Sequence, residues 1–235
     1  MALSVIVPVY NEENTVLEAL INLSECSFID EIIVINDGST DDSKSIIEKC
    51  MSSYPKLRLI SMSFNQGKGK AIRTALEYCT MDIVAIHDAD LEYDPLALAD
   101  LQKPILQGRA DVVYGSRFVG SQPKRALLFW HSLGNKFLTT LSNLVTNLNL
   151  TDMETCHKVF KRSLVSRIKL SENRFGIEPE MTVKFARAGA VIYEMGIPYQ
   201  GRTYKEGKKI GWKDGFSAIY CIIKFAIIPK RFWLT

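Results

Sequence analysis

Short apolar runs rich in β-branched residues recur along the first half of the chain, and most of them are followed by a segment with helical periodicity. The runs cover residues 4–9, 31–36, 57–61, 83–86 and 111–114. Such runs are typical of strands that are buried on both faces of a sheet. Strand then helix, repeated with a polar loop at the C-terminal end of each strand, predicts an α/β fold. We expect a doubly wound, mostly parallel sheet with helices on both faces, and ligands outside the carboxyl ends of its strands.

The fourth run leads directly into three acids at alternate positions, Asp88, Asp90 and Glu92. Alternate residues of an extended chain point the same way, so the three carboxylates are expected to converge. Crowded carboxylates repel one another unless a cation lies between them, and a hard divalent ion also leaves positions open for phosphate oxygens of a substrate. The alternative is an acidic turn after a strand. In both cases Asp94 and Pro95 predict the N-cap and first residue of the next helix.

Cysteine usage and charge restrict the class of protein. The five cysteines are odd in number and lack Cys-x-x-Cys spacing, which favours reduced thiols in a cytosolic compartment. The N-terminus has no basic n-region and is expected to be a first strand, not a signal peptide. Residues 1–118 carry 18 Asp and Glu against 10 Lys and Arg, whereas residues 119–235 carry 8 against 19. An acidic half can supply metal ligands, and a basic half can face phosphates or an anionic membrane. No motif indicates nucleic-acid binding.

Two further loops fall on the expected ligand-binding edge. Asp37 follows the second run, where its carboxylate can accept hydrogen bonds from a nucleobase or ribose, or can cap the next helix. Residues 66–69, Gln-Gly-Lys-Gly, lack the Walker spacing and are only a weak phosphate signal, centred on Lys68. In the second half, residues 126–148 predict a long helix or two. The aromatic and basic tail at 212–232 is too short and polar for a membrane span. It predicts either an interfacial helix or one docked on the domain.

Eight short blocks, in order along nearly the whole chain, resemble the family-2 inverting glycosyltransferases of the GT-A (Rossmann-like) fold. Within that family they look most like the dolichyl-phosphate mannosyltransferase and polyprenyl-phosphate glycosyltransferase branch. The blocks are residues 7–12, 36–41, 65–69, 88–90, 115–117, 152–155, 178–180, and Arg202 with Lys208. Any one block is weak, whereas eight in the right order are highly specific for the family. Known members of the branch often carry transmembrane helices after the catalytic domain.

The resemblance implies a role for each matching residue. The nucleoside of a UDP- or GDP-linked sugar would be held by Pro8, Tyr10, Glu12, Ile35 and Asp37. The metal, Mg²⁺ or Mn²⁺, and the donor diphosphate would be bound by Asp88, Ala89 and Asp90, with Glu92 as a further ligand where relatives often have glutamine. Arg202 and Lys208 would close over the diphosphate, and Lys68 is grouped with the donor-binding residues. Arg117 would contact an acceptor phosphate, with His131 and Ser132 where relatives place additional contacts.

The same resemblance suggests how the chain is organised. A GT-A domain would span residues 1–209, with a nucleotide-binding half at 1–118 and an acceptor half at 119–209. An amphipathic, interfacial helix would occupy residues 210–235. The expected protein is an enzyme, peripheral on the cytoplasmic face of a membrane, that moves a hexose to a polyprenyl or dolichyl phosphate.

The identity of the acceptor decides which catalytic groups are needed. The divalent metal with Arg202 and Lys208 would neutralise the leaving diphosphate, so catalysis is mainly electrostatic. A phosphate acceptor, whose second pKa is about 6, is already nucleophilic and needs a cation such as Arg117. A hydroxyl acceptor needs a base, for which Asp152 and Glu154 are the candidates, although either can instead orient an Arg or Lys. A sugar-nucleotide nucleotidyltransferase and a non-catalytic nucleotide- or sugar-binding module are less favoured by the same residues.

Overall fold

A computed structural model describes residues 1–126, 129–203 and 212–235 of the chain. Its strands are β1 (Leu3–Val9), β2 (Glu31–Asn36), β3 (Leu57–Ser61), β4 (Ile83–Ile86), β5 (Val112–Ser116), β6 (Lys158–Lys161) and β7 (Ile192–Gly196). Its helices are α1 (Val16–Glu25), α2 (Ser43–Met51), α3 (Lys68–Leu76), α4 (Ala97–Leu101), α5 (Lys103–Leu106), α6 (Phe129–Thr146), α7 (Arg162–Val165), α8 (Ile177–Arg187) and α9 (Trp212–Ile227). A short 3₁₀ turn, Lys230–Phe232, follows α9.

Within the described residues, seven strands form one sheet in the order β3-β2-β1-β4-β6-β5-β7. Strand β6 pairs antiparallel with both β4 and β5, and the remaining pairs are parallel. The prediction of a mostly parallel α/β sheet is therefore confirmed. Strands β2, β3 and β4 have the bounds read from the sequence, because each is a compact apolar run closed by polar residues. The central strands are buried on both faces, which explains why their sequences do not alternate.

The helix expected to begin at Pro95 begins instead at Ala97. The Asp94 side chain accepts a hydrogen bond from the Leu96 backbone N–H at 2.9 Å, and the Asp94 carbonyl accepts one from Ala97 at 3.1 Å. Asp94 therefore closes a turn that precedes the helix, and the prediction of a helix starting at Pro95 is wrong by one half-turn.

The C-terminal helix α9 is docked on the domain by one of its faces. Cys221 and Phe225 of α9 pack against Val183 of α8 in a small buried cluster. The Arg187 guanidinium of α8 donates hydrogen bonds to the carbonyls of Phe225 and Ile228, which satisfies acceptors left open at a helix C-terminus. Of the helices that the structure describes, none has the length and apolar character needed to cross a membrane.

Candidate active site

The segment carrying the three acids is a turn. Leu91 has a positive φ of 61°, a left-handed conformation that is rare for a branched residue. Because the chain turns here, Asp88, Asp90 and Glu92 do not alternate along an extended strand as the sequence pattern predicts. Among the described residues, no group of three or more acidic, histidine or cysteine side chains is arranged to hold a metal ion. The expectation that all three acids converge on one point is therefore wrong.

Asp88 lies at the end of β4 and is paired with Lys68, the first residue of α3. The Lys68 ammonium lies 2.9 Å from Oδ1 and 3.0 Å from Oδ2 of Asp88. Burial alone would raise the pKa of Asp88, but the charge and hydrogen bond of Lys68 outweigh it and lower that pKa. Asp88 is consequently ionised at neutral pH, and its negative charge is paired with the positive charge of Lys68.

Asp90 is paired with Arg202, whose Nη2 lies 2.9 Å from Oδ2 of Asp90. The same guanidinium reaches Oε2 of Glu12 at 3.4 Å through Nη1. Burial, and then the negative charges of Asp88 and Glu92, raise the pKa of Asp90 to about 7, although Arg202 opposes this shift. Burial is the largest cause of this shift, and the neighbouring carboxylates add to it.

Glu92 is turned toward the segment that carries Arg202. Its Oε2 accepts a hydrogen bond from the Tyr199 hydroxyl at 2.6 Å, and its Oε1 accepts one from the Arg202 backbone N–H at 2.7 Å. With both oxygens used this way, Glu92 positions Arg202 beside Asp90. This geometry explains why Glu92 does not join Asp88 and Asp90 in a three-ligand group.

The residues expected to hold a nucleoside lie along the ends of β1 and β2. Pro8 is half-buried, and Tyr10 is exposed just after β1. Ile35 pairs in register with Pro8 and is fully buried, so its side chain supports the edge from the core and does not line it.

Asp37 anchors the loop that leads into α3. Its carboxylate accepts hydrogen bonds from the Gln66 and Gly67 backbone N–H groups, both at 2.8 Å, and from Asn65 Nδ2 at 3.0 Å. It therefore does not cap the helix that follows it in sequence. The neighbouring Gly38 has φ of 65°, and a Cβ there would lie 2.4 Å from the Phe64 carbonyl carbon, so the loops after β2 and β3 are in close contact.

Arg117 follows β5 and is held by Asp152. The Arg117 Nε and Nη2 atoms donate to the two oxygens of Asp152 at 2.6 and 2.7 Å, and Asn135 of α6 donates to the same carboxylate at 2.9 Å. Asp152 is fully buried; burial would raise its pKa, but Arg117 outweighs burial and lowers it. The Arg117 guanidinium also lies over the Tyr199 ring at 5.2 Å. Of the two roles considered for Asp152, the geometry fits the orientation of Arg117.

Glu154 has a different environment from Asp152. Its Oε1 is buried and has no hydrogen-bond partner among the residues that the structure describes. Burial, followed by the charge of Glu178, raises the pKa of Glu154 from 4.5 to about 7, against the opposing effect of Lys158. A carboxyl group with this pKa and an unused oxygen can exchange a proton near neutral pH.

Two buried residues for which the sequence predicts no individual role extend the site inward. Glu178, near the start of α8, lies with Oε1 at 3.3 Å from the Lys68 ammonium, and its Oε2 is paired with Lys158 of β6. A sequence signal for Glu178 does exist, because Met181 and Phe185 lie three and seven residues further along the same helix and are buried. An acid on the apolar face of a helix is expected to have a buried partner.

Helix α6 places His131 and Ser132 on the side of the site that holds Arg117. Both are partly buried, and they lie one turn before Asn135, on the helix face that reaches Asp152. They are thus on the Arg117 side of the site. Lys208 lies outside the described residues.

The outer face of α6 is apolar although its buried face is polar. Thr139 and Ser142 are buried, whereas Trp130 and Phe137 are 77% and 59% exposed. Helix α9 carries a second exposed apolar stripe at i, i+4, i+7 and i+11, formed by Phe216, Tyr220, Ile223 and Ile227. We call these two faces together the apolar surface.

Comparison with known proteins places this site in a family. Residues 4–169 match the model described as glycosyl transferase family 2. The chain therefore belongs to glycosyl transferase family 2, and the resemblance noted from the sequence blocks is confirmed.

Among curated proteins, the chain is 28% identical to a dolichyl-phosphate beta-glucosyltransferase of Trichomonas vaginalis, over 97% of this chain and 74% of the relative. It is 30% identical to a prophage bactoprenol glucosyl transferase homolog of Escherichia coli, over 99% of this chain and 75% of the relative.

Among solved structures, glucosyl-3-phosphoglycerate synthase from Mycobacterium tuberculosis, in complex with Mn²⁺ and UDP-glucose, superimposes with a TM-score of 0.77. The alignment covers 97% of this chain and 80% of that one at 21% identity. This likeness shows that the fold is that of a glycosyltransferase, as predicted.

Proposed function

We propose that this protein is a metal-dependent inverting glycosyltransferase that moves a hexose from a nucleotide sugar to a polyprenyl or dolichyl phosphate. It would act as a peripheral protein on the cytoplasmic face of a membrane. The observation that carries the proposal is the joint placement of Arg117 and α6. Asp152 holds the guanidinium and also binds Asn135 of α6, the helix whose outer face is apolar. A phosphate-binding cation is thereby linked to a lipid-compatible surface.

On the donor side, Asp88 and Asp90 fit a hard divalent cation. Both offer carboxylate oxygens, and Asp90 lies close enough to Asp88 and Glu92 for their negative charges to add to the effect of burial on its pKa. When bound, Mg²⁺ or Mn²⁺ would neutralise charge developing on the departing diphosphate. Arg202, which pairs with Asp90 in this structure, would bind the same phosphates. The Mycobacterium tuberculosis synthase, crystallised with Mn²⁺ and UDP-glucose, supports a UDP-sugar donor.

On the acceptor side, a phosphate monoester needs no general base. Its second pKa is about 6, so it is mostly a dianion at neutral pH. Arg117 can bind it through the guanidinium nitrogen that does not contact Asp152, while Asp152 keeps the group oriented. The names of the two glucosyltransferase relatives, which refer to dolichyl phosphate and bactoprenol, support a polyprenyl carrier.

The apolar surface supports contact with the membrane that holds such a carrier. Exposed aromatic side chains on α6 and α9 suit the interface between headgroups and acyl chains. The tail beyond them adds Lys230 and Arg231, which favour anionic lipids. Of the two alternatives expected from the sequence, the structure shows docking of α9 on α8 by one face, and the exposed face of the same helix would contact lipid.

Glu154 favours a second candidate function, transfer to a hydroxyl acceptor. Its unpartnered oxygen and a pKa of about 7 are the properties of a general base, which a phosphate acceptor does not require. The substrate would then be a glycan, protein or small molecule in polysaccharide or cell-envelope synthesis.

A donor and acceptor panel separates the two functions. UDP- and GDP-sugars with Mn²⁺ or Mg²⁺ would be offered to undecaprenyl phosphate, dolichyl phosphate or the corresponding polyprenol, with products identified by mass spectrometry. We expect a glycosyl phospholipid with release of a nucleoside diphosphate, lost in Arg117→Ala and retained in Glu154→Gln. Glycosylated polyprenol or glycan, lost in Glu154→Gln, would establish transfer to a hydroxyl. Release of pyrophosphate would instead identify a nucleotidyltransferase.

A further inference from the structure

A row of four alternating charges, buried at its inner end, runs from the acidic turn into the protein. The order is Asp88, Lys68, Glu178 and Lys158, contributed by the end of β4, the start of α3, the start of α8 and β6. Glu178 is 3% exposed and Lys158 is fully buried. Charges are rarely enclosed in this way without a partner on each side, so the row acts as one electrostatic unit.

Lys68 is the shared member of this row. Its ammonium lies 2.9 Å from Asp88 and 3.3 Å from Glu178, so the single positive charge is divided between two carboxylates. Glu178 is itself held in place, because Lys158 binds its other oxygen. Lys158 in turn donates to the Thr155 carbonyl and lies over the Tyr114 ring at 5.0 Å.

We propose that Glu178 is a positioning residue that shares the Lys68 ammonium with Asp88, weakens the hold of Lys68 on Asp88, and so keeps Asp88 available to a divalent cation. The inference rests on the proposed function, since it concerns the metal of that reaction. Without the Glu178 charge, Asp88 is the one carboxylate in ion-pair contact with Lys68 among the described residues. Lys68 then competes more strongly with a cation for the Asp88 oxygens. Glu178 touches neither metal nor substrate and acts through Lys68.

The test is a direct titration of the purified protein with Mn²⁺, following free Mn²⁺ by electron paramagnetic resonance without nucleotide. We expect Glu178→Gln to weaken Mn²⁺ binding by about 10-fold, the lower end for loss of a residue that orients a metal ligand. Lys68→Met should have the opposite effect and tighten binding, because it removes the competing charge. Glu178→Asp, which keeps the charge, should recover part of the lost affinity.

Glu180 provides a matched control on the same helix. It is fully buried and paired with Lys184 at 2.5 Å, but its other bonds come from the Ser171 hydroxyl and the backbone N–H groups of Ser171 and Glu172, away from the acidic turn. Glu180→Gln should therefore lower the melting temperature without changing the Mn²⁺ affinity. An equal loss of affinity in Glu178→Gln and Glu180→Gln would overturn the inference, since it would reflect general loosening of α8.

The double variant Lys68→Met/Glu178→Gln tests whether the effect passes through Lys68. We expect the Glu178→Gln substitution to lose most of its effect on Mn²⁺ affinity when Lys68 is absent, as coupled residues in a double-mutant cycle do. An undiminished effect would contradict the inference while leaving the proposed function intact. Absence of Mn²⁺ binding and of sugar transfer in the wild-type protein would instead overturn the proposed function itself.

Discussion

Asp152 and Glu154 lie two residues apart, but their surroundings shift the pKa values of the two carboxyl groups in opposite directions. Asp152 faces the Arg117 guanidinium, which lowers its pKa, whereas burial and the charge of Glu178 raise the pKa of Glu154 to about 7. The sequence offers both as bases because spacing alone gives no information about partners. Only the tertiary contacts distinguish an orienting group from a proton acceptor.

Asp152→Asn should destabilise the protein and weaken its use of acceptor. Removing one partner from a buried ion pair costs about 3–5 kcal/mol of the free energy of unfolding, because the other charge is left uncompensated. The lowered pKa of Asp152 means that its contribution is present above its unfolded-state value of 3.8 and is lost as the pH falls through the folded-state value. Urea unfolding at about pH 7 and about pH 3 should therefore show a smaller difference from wild type in acid. An equal difference at both values would rule out an ionic origin.

Glu154→Gln should have the opposite pH dependence. The folded protein binds a proton at Glu154 up to about pH 7, whereas the unfolded chain releases it near 4.5. Wild-type stability from this group therefore falls across that window as the pH rises, by at most about 1.4 kcal/mol per pH unit. Glutamine does not titrate, so the free energy of unfolding of the variant should rise relative to that of wild type as the pH increases between these values. A constant stability difference, measured by urea unfolding at several pH values, would show that the Glu154 pKa is not raised.

At the level of elements, apolar patterning predicted the strands better than the turns between them. The sequence predicts the bounds of β2 and β4 correctly because both are buried runs, and those of the partly exposed β3 because polar residues flank it. Strand β6 was not identified as an antiparallel member of the sheet, since it has four residues with lysine at both ends. The left-handed conformation of Leu91 was equally unpredictable, because leucine has no preference for a positive φ. The convergence of acids was therefore overestimated.

The α6 part of the apolar surface should bind lipid without contributing to the stability of the fold. Trp130 and Phe137 are largely exposed, so Trp130→Ser and Phe137→Ser should leave the melting temperature almost unchanged. Each should weaken binding to anionic liposomes by about 10-fold. This is the loss expected when one apolar side chain no longer contributes about 1.5 kcal/mol by its burial in the membrane.

Leu17 of α1 offers the matched control, being 47% exposed on a helix outside the apolar surface. Leu17→Ser should leave liposome flotation unchanged. If it weakens flotation as much as the α6 variants do, the membrane contact is not localised to the apolar surface.

At the scale of the whole molecule, the acidic first half and the basic second half of the sequence form ion pairs with each other. Asp90 and Glu12 from the acidic half meet Arg202 from the basic half, and Lys68 meets Glu178 in the reverse sense. The resemblance read from the sequence blocks predicts the family and the fold correctly, as the family model over residues 4–169 and the likeness to the solved structure show. The row of charges from Asp88 to Lys158 was not predictable, because its members are distant in sequence and come together only in the folded chain.

A divalent cation bound beside Asp88 and Asp90, holding the diphosphate that leaves the sugar, is central to the proposed reaction. A crystal structure of the protein with Mn²⁺ and a UDP-sugar tests this most directly. We predict anomalous density for Mn²⁺ contacting Asp90 and the diphosphate, with the Arg202 guanidinium moved from Asp90 to the phosphates. Nucleotide bound with Arg202 still on Asp90 and no Mn²⁺ at the acidic turn would contradict this role for the cation.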